Sequence, residues 1–375
     1  MEVQDILKQY GDEYLRMNKL SPVQSKAFWD IRNCRTAVLG GHLDICGECG
    51  YQAISYNSCR NRHCPKCQTL KKEQWIEKQS QSLLNVGYFH VVFTVPDALN
   101  PVMYQNQEIL YNLFFKAVSE TLLELSLDRK YLGARPGITA ILHTWGQNLS
   151  YHPHIHCVVP GGGLTADGKW LFSRKKFFIP VKVLSKKFRG KFLAFLKRAK
   201  LNFFGSLEEL NNPDCFDSLI SGLYQKQWVT YCKPPFGSPA KVVQYLGRYT
   251  HRVAISNNRI LNLEDGRVTF NWRDYRAGNK VREMTVTAQE FIRRFMLHIL
   301  PPGFRKIRHY GILAAKDKSA RIDLCKKLTN TPTCSVKTPR TSLQIMRDIL
   351  GDSFNLCPRC MVGHLTRASP KAAIA

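Results

Sequence analysis

The feature that most constrains the fold is a group of metal-ligand residue types near the N-terminus. Two CxxC pairs stand there, Cys46 with Cys49 and Cys64 with Cys67. Each pair can form a tight turn whose two thiolates bind one tetrahedral ion at about 2.3 Å. In a chain with no export signal, such pairs are typical of zinc rather than of disulfides. The sequence therefore predicts a structural Zn²⁺ held by these four cysteines.

The same stretch contains more potential ligands than one ion needs. The remaining ones are Cys34, His42, Cys59 and His63. They are enough for a second ion, and Cys59 or His63 could instead replace one of the four paired cysteines; the spacing leaves both arrangements open. Because four protein ligands close a zinc site to substrate, we expect this module to bind DNA rather than to catalyse. Three basic residues beside it are the expected phosphate contacts: Arg60, Arg62 and Lys66.

The chain is strongly basic. Lys and Arg number 55 against 28 Asp and Glu, which gives a formal net charge of +27. Self-repulsion of this size is best tolerated by a protein whose partner is a polyanion, and nucleic acid releases counterions when its phosphates are neutralised. No run of about 18 apolar residues is present, and the first residues carry charges where a signal peptide is apolar. We therefore expect a cytoplasmic DNA-binding protein with no membrane partner.

In the middle of the chain, residues 150–163 read SYHPHIHCVVPGGG. In an extended strand, residues i and i+2 project to the same face about 7 Å apart, so His154 and His156 can converge on one ligand. The preceding run, GITAILHTWGQNL, predicts a strand that pairs with it as an antiparallel hairpin. Gln147 would then lie beside the two histidines as a third ligand, with His143 and His152 as alternatives. Two imidazole ligands, one oxygen ligand and open coordination positions suit an Mg²⁺ or Mn²⁺ ion that also binds a substrate phosphate.

A second group of functional residue types follows in residues 240–252, AKVVQYLGRYTHR, whose pattern predicts a helix. Tyr245 and Tyr249 stand at i and i+4, on one helical face about 6 Å apart. With a divalent cation on the scissile phosphate, a tyrosinate can form a covalent phosphodiester that conserves bond energy for rejoining. Arg248 and Arg252 in the same segment are further expected contacts to DNA.

The remaining periodicity predicts a sheet with helices packed on it. GYFHVVFTVP alternates as a strand, and residues 100–128 have helical spacing. The segment KVLSKKFRGKFLAFLKRAK predicts a basic helix whose phenylalanines face a core and whose lysines face solvent. A groove for single-stranded nucleic acid is the alternative interpretation of this helix. Ser21 and Pro22 are good N-cap and N1 residues for a helix that packs on the zinc module. The pattern as a whole favours an α+β fold.

Several of these motifs resemble those of a known family. HPHIHCVVPGG, with its histidine, bulky apolar residue, histidine core, resembles the signature of the HUH endonucleases. FHVVFTVP resembles the first strand motif of those proteins, and YLGRYTHR their tyrosine helix. The zinc block YNSCRNRHCPKCQ and the segment PPGFRKIRHYGILA narrow the resemblance to the rolling-circle transposases of the insertion sequence 91 family. The matching motifs cover nearly the whole chain and stand in the same order.

The resemblance implies a division of the chain and an activity. N-terminal helices and a zinc-binding domain would occupy residues 1–85, a two-tyrosine transposase domain on an HUH-type antiparallel sheet residues 86–315, and a C-terminal region residues 316–375. The protein would nick and join single-stranded DNA at the ends of a mobile element, and act on target DNA, through a covalent 5′-phosphotyrosine. It would work in bacteria, in association with the nucleoid.

The resemblance also assigns roles to single residues. His154 and His156 match its metal-binding histidines, and Tyr245 and Tyr249 match its tyrosine pair. Related enzymes take the third metal ligand from the preceding strand or from the tyrosine helix, so Gln147 has a competitor in Gln244. The C-terminal CPRC motif resembles half of a zinc site. Its cysteines are Cys357 and Cys360, and the candidates for its other ligands are Cys325, Cys334 and His364.

Two other functions fit part of the sequence. A plasmid rolling-circle replication initiator or relaxase would use the same histidines and tyrosines on a replication or transfer origin. A non-catalytic zinc-dependent DNA-binding protein would need only the cysteine module and the basic surface. The zinc block fused to the histidine strand favours the transposase over the first alternative, and the tyrosine pair favours an enzyme over the second.

Overall fold

The computed structural model describes residues 1–174, 178–236, 241–242, 247, 254–274, 277–332 and 340–368. Its helices are α1 Val3–Met17, α2 Pro22–Arg32, α3 Gln68–Ser80, α4 Asn100–Gln105, α5 Gln107–Leu127, α6 Val181–Lys197, α7 Pro213–Gln225, α8 Ala288–Met296, α9 Lys318–Leu328 and α10 Ser342–Leu350. Its strands are β1 Gly41–Cys46, β2 Gln52–Tyr56, β3 Tyr88–Thr94, β4 Gly137–Trp145, β5 Tyr151–Pro160, β6 Gly162–Leu164, β7 Trp170–Phe172, β8 Thr230–Phe236, β9 Ile260–Glu264, β10 Arg267–Asp274, β11 Lys280–Thr287, β12 Ile307–Gly311 and β13 Leu365–Arg367. Within these ranges no helix has the length and hydrophobicity that spanning a bilayer requires.

A five-stranded antiparallel sheet in the order β12-β4-β5-β3-β8 forms the centre of the fold. β4 and β5 are the hairpin that the sequence predicts, with His143 opposite His154 and Ile141 opposite His156. β3, predicted from the run FHVVFTVP, pairs along the other side of β5. Helices pack on this sheet, so the predicted α+β class with an antiparallel sheet is confirmed.

The two faces of this sheet differ in chemistry because side chains alternate along each strand. One face is apolar and is buried against α5, α6 and α7; its members on β3 and β5 are Phe89, Val91, Phe93, Ile155, Cys157 and Val159. The opposite face carries imidazoles among a few apolar residues. We call it the histidine face and define it by His90, His143, His154 and His156.

The predicted basic helix is α6, and its apolar residues lie where the sequence placed them. Phe188 and Phe192 are fully buried in the main core, and Phe195 packs against that core. On the outer side of the helix, Lys191 forms an ion pair with Glu120 of α5 at 3.0 Å. The periodicity of this segment therefore reflects packing of α6 on the apolar side of the sheet.

The N-terminal helices begin as the sequence predicts. Ser21 Oγ accepts a hydrogen bond from the Gln24 backbone amide at 3.4 Å, and Pro22 is the first residue of α2. Phe28 of α2 is buried in a second core that also contains Phe270 of β10 and Phe291 of α8. The helices therefore connect the cysteine-rich module to a part of the chain some 250 residues away, rather than forming a separate unit.

A three-stranded sheet in the order β13-β1-β2 joins the two ends of the chain. In its register Asp44 is opposite Arg367 and Cys46 is opposite Leu365. Strand β13, from the predicted C-terminal region, thus completes the sheet of the N-terminal module. A third sheet, β11-β10-β9, and the short pair β6-β7 account for the other strands of the described residues.

Phe188 provides a test of the apolar face. Its ring lies 5.1 Å from Phe93, 5.5 Å from Phe114 and 5.4 Å from Trp228, measured between centroids. Phe188→Ala should lower the free energy of unfolding by about 3–5 kcal/mol, because it removes buried area and leaves a cavity. Denaturant unfolding at constant zinc measures this. Phe204→Ala, at a ring that is 60% exposed, is the matched control; equal losses in the two variants would contradict the packing described above.

Candidate functional site

Three imidazoles converge on the histidine face. His154 and His156 lie two residues apart on β5, and His143 lies opposite His154 on β4. The ring centroids are 4.7 Å apart for His154 and His156, and 4.5 Å apart for His143 and His156. One nitrogen from each of the three rings lies within 4.8 Å of the others. This is the spacing of ligands around one metal ion.

Hydrogen bonds fix the orientation of two of these rings. His154 Nδ1 lies 2.7 Å from the carbonyl oxygen of His152. Since a carbonyl only accepts, His154 Nδ1 carries the proton and its Nε2 keeps the lone pair. His156 Nδ1 lies 2.8 Å from Nε2 of His90, which is parallel-stacked on it. Such outer contacts set the tautomer and direction of metal-binding histidines in general.

Burial keeps the imidazoles of His90, His154 and His156 neutral. It lowers the pKa of His154 to about 4 and that of His90 to about 3, and it holds the pKa of His156 well below its usual value. Neighbouring imidazoles add to the effect at His156 because a second positive charge there would be repelled. The rings are therefore deprotonated at neutral pH, as metal ligands must be.

The ligand atoms of this site distinguish between the two predicted ions. Three imidazole nitrogens suit a divalent transition ion, whereas Mg²⁺ prefers oxygen ligands and keeps its waters. Of the two, Mn²⁺ therefore fits His143, His154 and His156 better. An ion held by three protein ligands would retain coordination positions for substrate oxygens.

Gln147, the predicted third ligand, does not lie on a strand. It is in the turn that joins β4 to β5, and its backbone carbonyl accepts a hydrogen bond from Arg259 at 2.6 Å. His143, one of the two alternatives, is the residue that the structure brings to the two β5 histidines. His152, the other alternative, has its Nδ1 3.7 Å from a carboxylate oxygen of Asp97.

The tyrosine segment lies largely outside the described residues. Tyr245, Tyr249, the competing ligand Gln244, and Arg248 and Arg252 all belong to the part of the chain that the structure does not describe. Lys241, Val242 and Gly247 are described and helical. Val242 is fully buried in a cluster that includes Ile141 and Val158 of the sheet. The roles of the two tyrosines stay predictions from the sequence.

The predicted cysteine set separates into two groups, which corrects the grouping of Cys46 and Cys49 with Cys64 and Cys67. The first, which we call the N-terminal cluster, consists of Cys34, Cys59, Cys64 and Cys67. Within it, Cys34 Sγ lies 3.6 Å from Cys67 Sγ and 3.7 Å from Cys64 Sγ. The second, the bridging cluster, consists of Cys46, Cys49, Cys357 and Cys360. The sequence does not identify the partners of Cys357 and Cys360. In the structure these partners are Cys46 and Cys49, the first CxxC pair.

The other candidate zinc ligands have different surroundings. His63 is buried, and its Nε2 accepts a hydrogen bond from the Leu300 amide at 3.0 Å. His42 Nε2 lies 3.5 Å from a carboxylate oxygen of Asp44, and His364 Nδ1 lies 3.1 Å from Asn355 Oδ1. Cys325 is buried in a separate apolar cluster, and Cys334 lies outside the described residues. None of the three described histidines belongs to either cysteine cluster.

The basic residues of the zinc module also differ from one another. Arg60 is exposed. Arg62 is largely buried, which lowers its pKa, and it donates to the carbonyl of Phe304. Lys66 donates to Gln4 at 2.7 Å and forms an ion pair with Glu2. The Arg60 side chain is therefore free of such internal bonds among the described residues, whereas Arg62 and Lys66 bond within the protein. Phosphate contact by the three residues stays a prediction.

His298 holds the hairpin that carries the histidine face. Its Nε2 lies 3.1 Å from the carbonyl of Leu149, in the β4–β5 turn, and its Nδ1 lies 3.2 Å from the Thr144 hydroxyl. The carbonyl can only accept, so Nε2–H donates to Leu149 and Nδ1 accepts from Thr144. The bond that Nδ1 accepts needs a neutral ring, and burial lowers the pKa of His298 to about 4.

Comparison with known proteins gives two family matches. Residues 137–320 match the family described as "Putative transposase", and residues 6–95 match the "Transposase zinc-binding domain" family. The chain is 46% identical over 373 residues to "Putative transposase y4qJ" of Sinorhizobium fredii (strain NBRC 101917 / NGR234). This alignment covers 97% of this chain and 94% of that protein. The chain is 29% identical over 287 residues to the transposase for insertion sequence element IS801 of Pseudomonas savastanoi pv. phaseolicola, over 75% of this chain and 68% of that protein. No solved structure matches the chain.

The sheet, the cysteine module and these matches define a transposase that carries a zinc-binding domain. More narrowly, the chain belongs to the transposases of the insertion sequence 91 family. This confirms the family predicted from the histidine, tyrosine and cysteine motifs. A transposase cleaves and joins DNA, so the chain is a DNA-binding enzyme, and its zinc-binding domain supports a structural Zn²⁺.

The anchoring role of His298 predicts a pH dependence. Its pKa is about 4 in the folded protein against 6.5 in the unfolded chain, so the unfolded state binds more protons between these values. Stability is therefore complete above pH 6.5 and falls toward pH 4, by about 3 kcal/mol for this residue. His298→Gln, which does not titrate, should show a shallower loss in unfolding free energy over that range. The same slope in both proteins would contradict a neutral, anchoring His298.

Proposed function

We propose that this protein nicks and rejoins single-stranded DNA at the ends of a mobile element, through a 5′-phosphotyrosine intermediate and with a divalent cation. The observation that carries the proposal is the convergence of His143, His154 and His156 within 4.8 Å on one face of an antiparallel sheet, in a chain of a transposase family. The naming of both relatives as transposases favours this function over a replication initiator or relaxase.

The chain's own residues prepare the histidine face for a cation. His143, His154 and His156 would hold it, and the lowered pKa values of His154 and His156 keep these two imidazoles neutral. His90 and the carbonyl of His152 set the directions of two of the rings. When bound, the ion would polarise the scissile phosphate and stabilise charge that develops on its oxygens.

The edge of the sheet offers a route for a single strand. Tyr231 lies opposite Val92 in the β3–β8 pairing, and Lys233 lies opposite His90, so both side chains project from the histidine face. The Tyr231 ring is 47% exposed, and Lys233 Nζ lies 5.7 Å from its centroid. An exposed ring can stack on a base while a neighbouring ammonium binds a phosphate, and this pairing favours unpaired DNA.

The nucleophiles in this proposal are Tyr245 and Tyr249. A phenolate oxygen attacks the phosphorus, the P–O3′ bond breaks, and the 5′-phosphate becomes linked to tyrosine while the other strand end leaves as a 3′-OH. Rejoining reverses these steps with a new 3′-OH as the attacking group. Two tyrosines on one helical face would let a second strand be cut while the first link persists.

The zinc module and the net charge suit the remaining tasks of such an enzyme. A net charge of +27 binds phosphates without regard to sequence and favours association with the nucleoid. The N-terminal cluster is closed by four thiols, which fits a structural ion rather than a catalytic one. We expect the module to contribute to DNA binding while the histidine face acts on the single strand.

The histidines give the first test. Replacing His154 and His156 together with Ala should abolish nicking of a labelled single-stranded element end in Mn²⁺, while binding of that DNA changes by less than about threefold, because phosphate contacts dominate affinity. A denaturing gel measures cleavage, and fluorescence anisotropy measures binding. His152→Ala is the matched control, since it lies on the same strand and keeps the carbonyl that orients His154.

The control and the double variant should therefore differ. The His152→Ala protein should cleave at close to the parental rate. If the His154 and His156 double variant also does so, the histidine face is not the cleavage site.

The tyrosine pair gives the second test. Tyr245→Phe and Tyr249→Phe should each retain a single cleavage but lose complete transposition, and the double variant should lose the covalent adduct, because Phe lacks the attacking oxygen. Peptide mapping of labelled adducts identifies the linked residue. Label found on one tyrosine alone, together with transposition by the Phe variant of the other, would reduce the mechanism to one nucleophile.

A further inference from the structure

The bridging cluster draws its four thiols from the two ends of the chain. Cys46 Sγ lies 3.7 Å from Cys360 Sγ, and Cys49 Sγ lies 3.6 Å from Cys357 Sγ. All four sulfurs lie within 4.8 Å of one another. The separations are far longer than the S–S bond of about 2.0 Å in a disulfide. They equal, within about 0.2 Å, the edge of about 3.8 Å of a tetrahedron of sulfurs placed 2.3 Å from a central zinc ion.

The backbone around the two cysteine pairs is built in the same way. The amide of Gly50 donates to the carbonyl of Cys46, and the amide of Met361 donates to the carbonyl of Cys357, both at 3.0 Å. Each of these donor residues, four positions after the first cysteine of its pair, has a positive φ, 68° for Gly50 and 55° for Met361. A left-handed conformation at Met361 is unfavourable for a side chain, so something at this turn must offset its cost.

The C-terminal pair also has features that sulfur ligation explains. The Gly363 amide donates to Cys360 Sγ at 3.3 Å, and the Cys357 amide donates to the Gly363 carbonyl at 2.7 Å. A Cβ at Gly363 would lie 2.5 Å from Cys46 Sγ and 2.7 Å from Glu48 Cγ. The two knuckles therefore approach each other so closely that only glycine fits between them.

We propose that Cys46, Cys49, Cys357 and Cys360 bind a second zinc ion, distinct from an ion in the N-terminal cluster, and that it fastens the C-terminal strand to the N-terminal module. Its four ligands leave no open position, so its role is structural. The ion would secure the short β13, whose pairing with β1 spans only three residue pairs. It would tie together residues more than 300 positions apart in the sequence.

This attachment has a consequence for the surface of the module. Arg367 of β13 lines an open polar cavity of about 530 Å³ together with Arg35 and Arg60. Two of these three arginines come from the N-terminal module and the third from the far end of the chain. Without the bridging ion, the cavity would lose one of its three guanidinium groups, which are suited to phosphate.

Cobalt substitution tests the proposal on the full chain. The thiolate-to-cobalt charge-transfer absorbance reports only ions bound by thiolates, so an ion on the histidine face does not contribute. Saturated wild-type protein should give twice the absorbance of the Cys357→Ser/Cys360→Ser variant, because four of the eight clustered thiols belong to each site. The matched control, Cys215→Ser/Cys232→Ser, alters two cysteines outside both clusters and should equal wild type. Equal absorbance in wild type and the C-terminal variant would overturn the proposal.

A second variant covers the case in which the double substitution prevents folding. Gly363→Val keeps every thiol but places carbon atoms against Cys46 Sγ. Transfer of zinc to a chromogenic chelator should show two thiolate-bound populations in wild type, and Gly363→Val should accelerate one of them at least tenfold and leave the other unchanged. Identical release from the two proteins, or acceleration of both populations alike, would overturn the proposal.

Discussion

The pairing of β4 with β5, with His143 opposite His154, is the constraint on which the candidate active site depends. In an antiparallel pair, the side chains of opposed residues share a face, and those one position away share the other. The same register therefore sends Ile155 into the main core and gathers three imidazoles on the far side of the sheet. A slip of one residue would exchange the two faces, so the apolar core enforces the geometry of the histidines.

The second organising feature is the contact of the N-terminal segments with segments from late in the sequence. N-terminal helices pack with β10 and α8, the C-terminal strand pairs with β1, and the cysteines of the two ends meet in one cluster. Helix α3 follows directly on Cys67 of the N-terminal cluster, and Arg340, just before α10, forms an ion pair with Glu77 of α3 at 3.5 Å. A Cβ at Gly247 would lie 2.5 Å from Ile76 Cδ1, so the described part of the tyrosine segment packs against α3 as well. The zinc module is thus in contact with the segment that carries the predicted nucleophiles.

Much of the fold could be predicted from sequence because local pattern determines it. Alternation identified β3, β4 and β5, periodicity identified α6, and Ser21 with Pro22 identified the start of α2. The partners of the cysteine pairs could not be predicted, because spacing specifies which thiols form a knuckle and not which knuckles meet. The same limit applies to the third ligand: Gln147 and His143 are both close to the histidines along the sequence, and only the register selects His143.

Three further residues have contacts that the local sequence pattern does not predict. His90 of β3 orients His156 through a hydrogen bond. In the run FHVVFTVP, only its place on the polar side of the alternation distinguishes His90 from an ordinary buried strand residue. The local charge pattern does not show that Arg62 and Lys66 have internal partners, because those partners, Phe304 and Glu2, come from elsewhere in the chain. In each case the side chain's partner belongs to a distant segment of the chain, so local pattern does not reveal it.

Electron spin-echo spectroscopy of Mn²⁺ bound to the protein tests most directly whether the paired strands β4 and β5 together build one metal site, because it counts the imidazole nitrogens coupled to the metal. We expect coupling to three histidine nitrogens in wild type and to two in the His143→Ala variant, with full retention of coupling in His152→Ala. Mn²⁺ bound without nitrogen coupling, or coupling unchanged by His143→Ala, would contradict a metal site shared by the two strands.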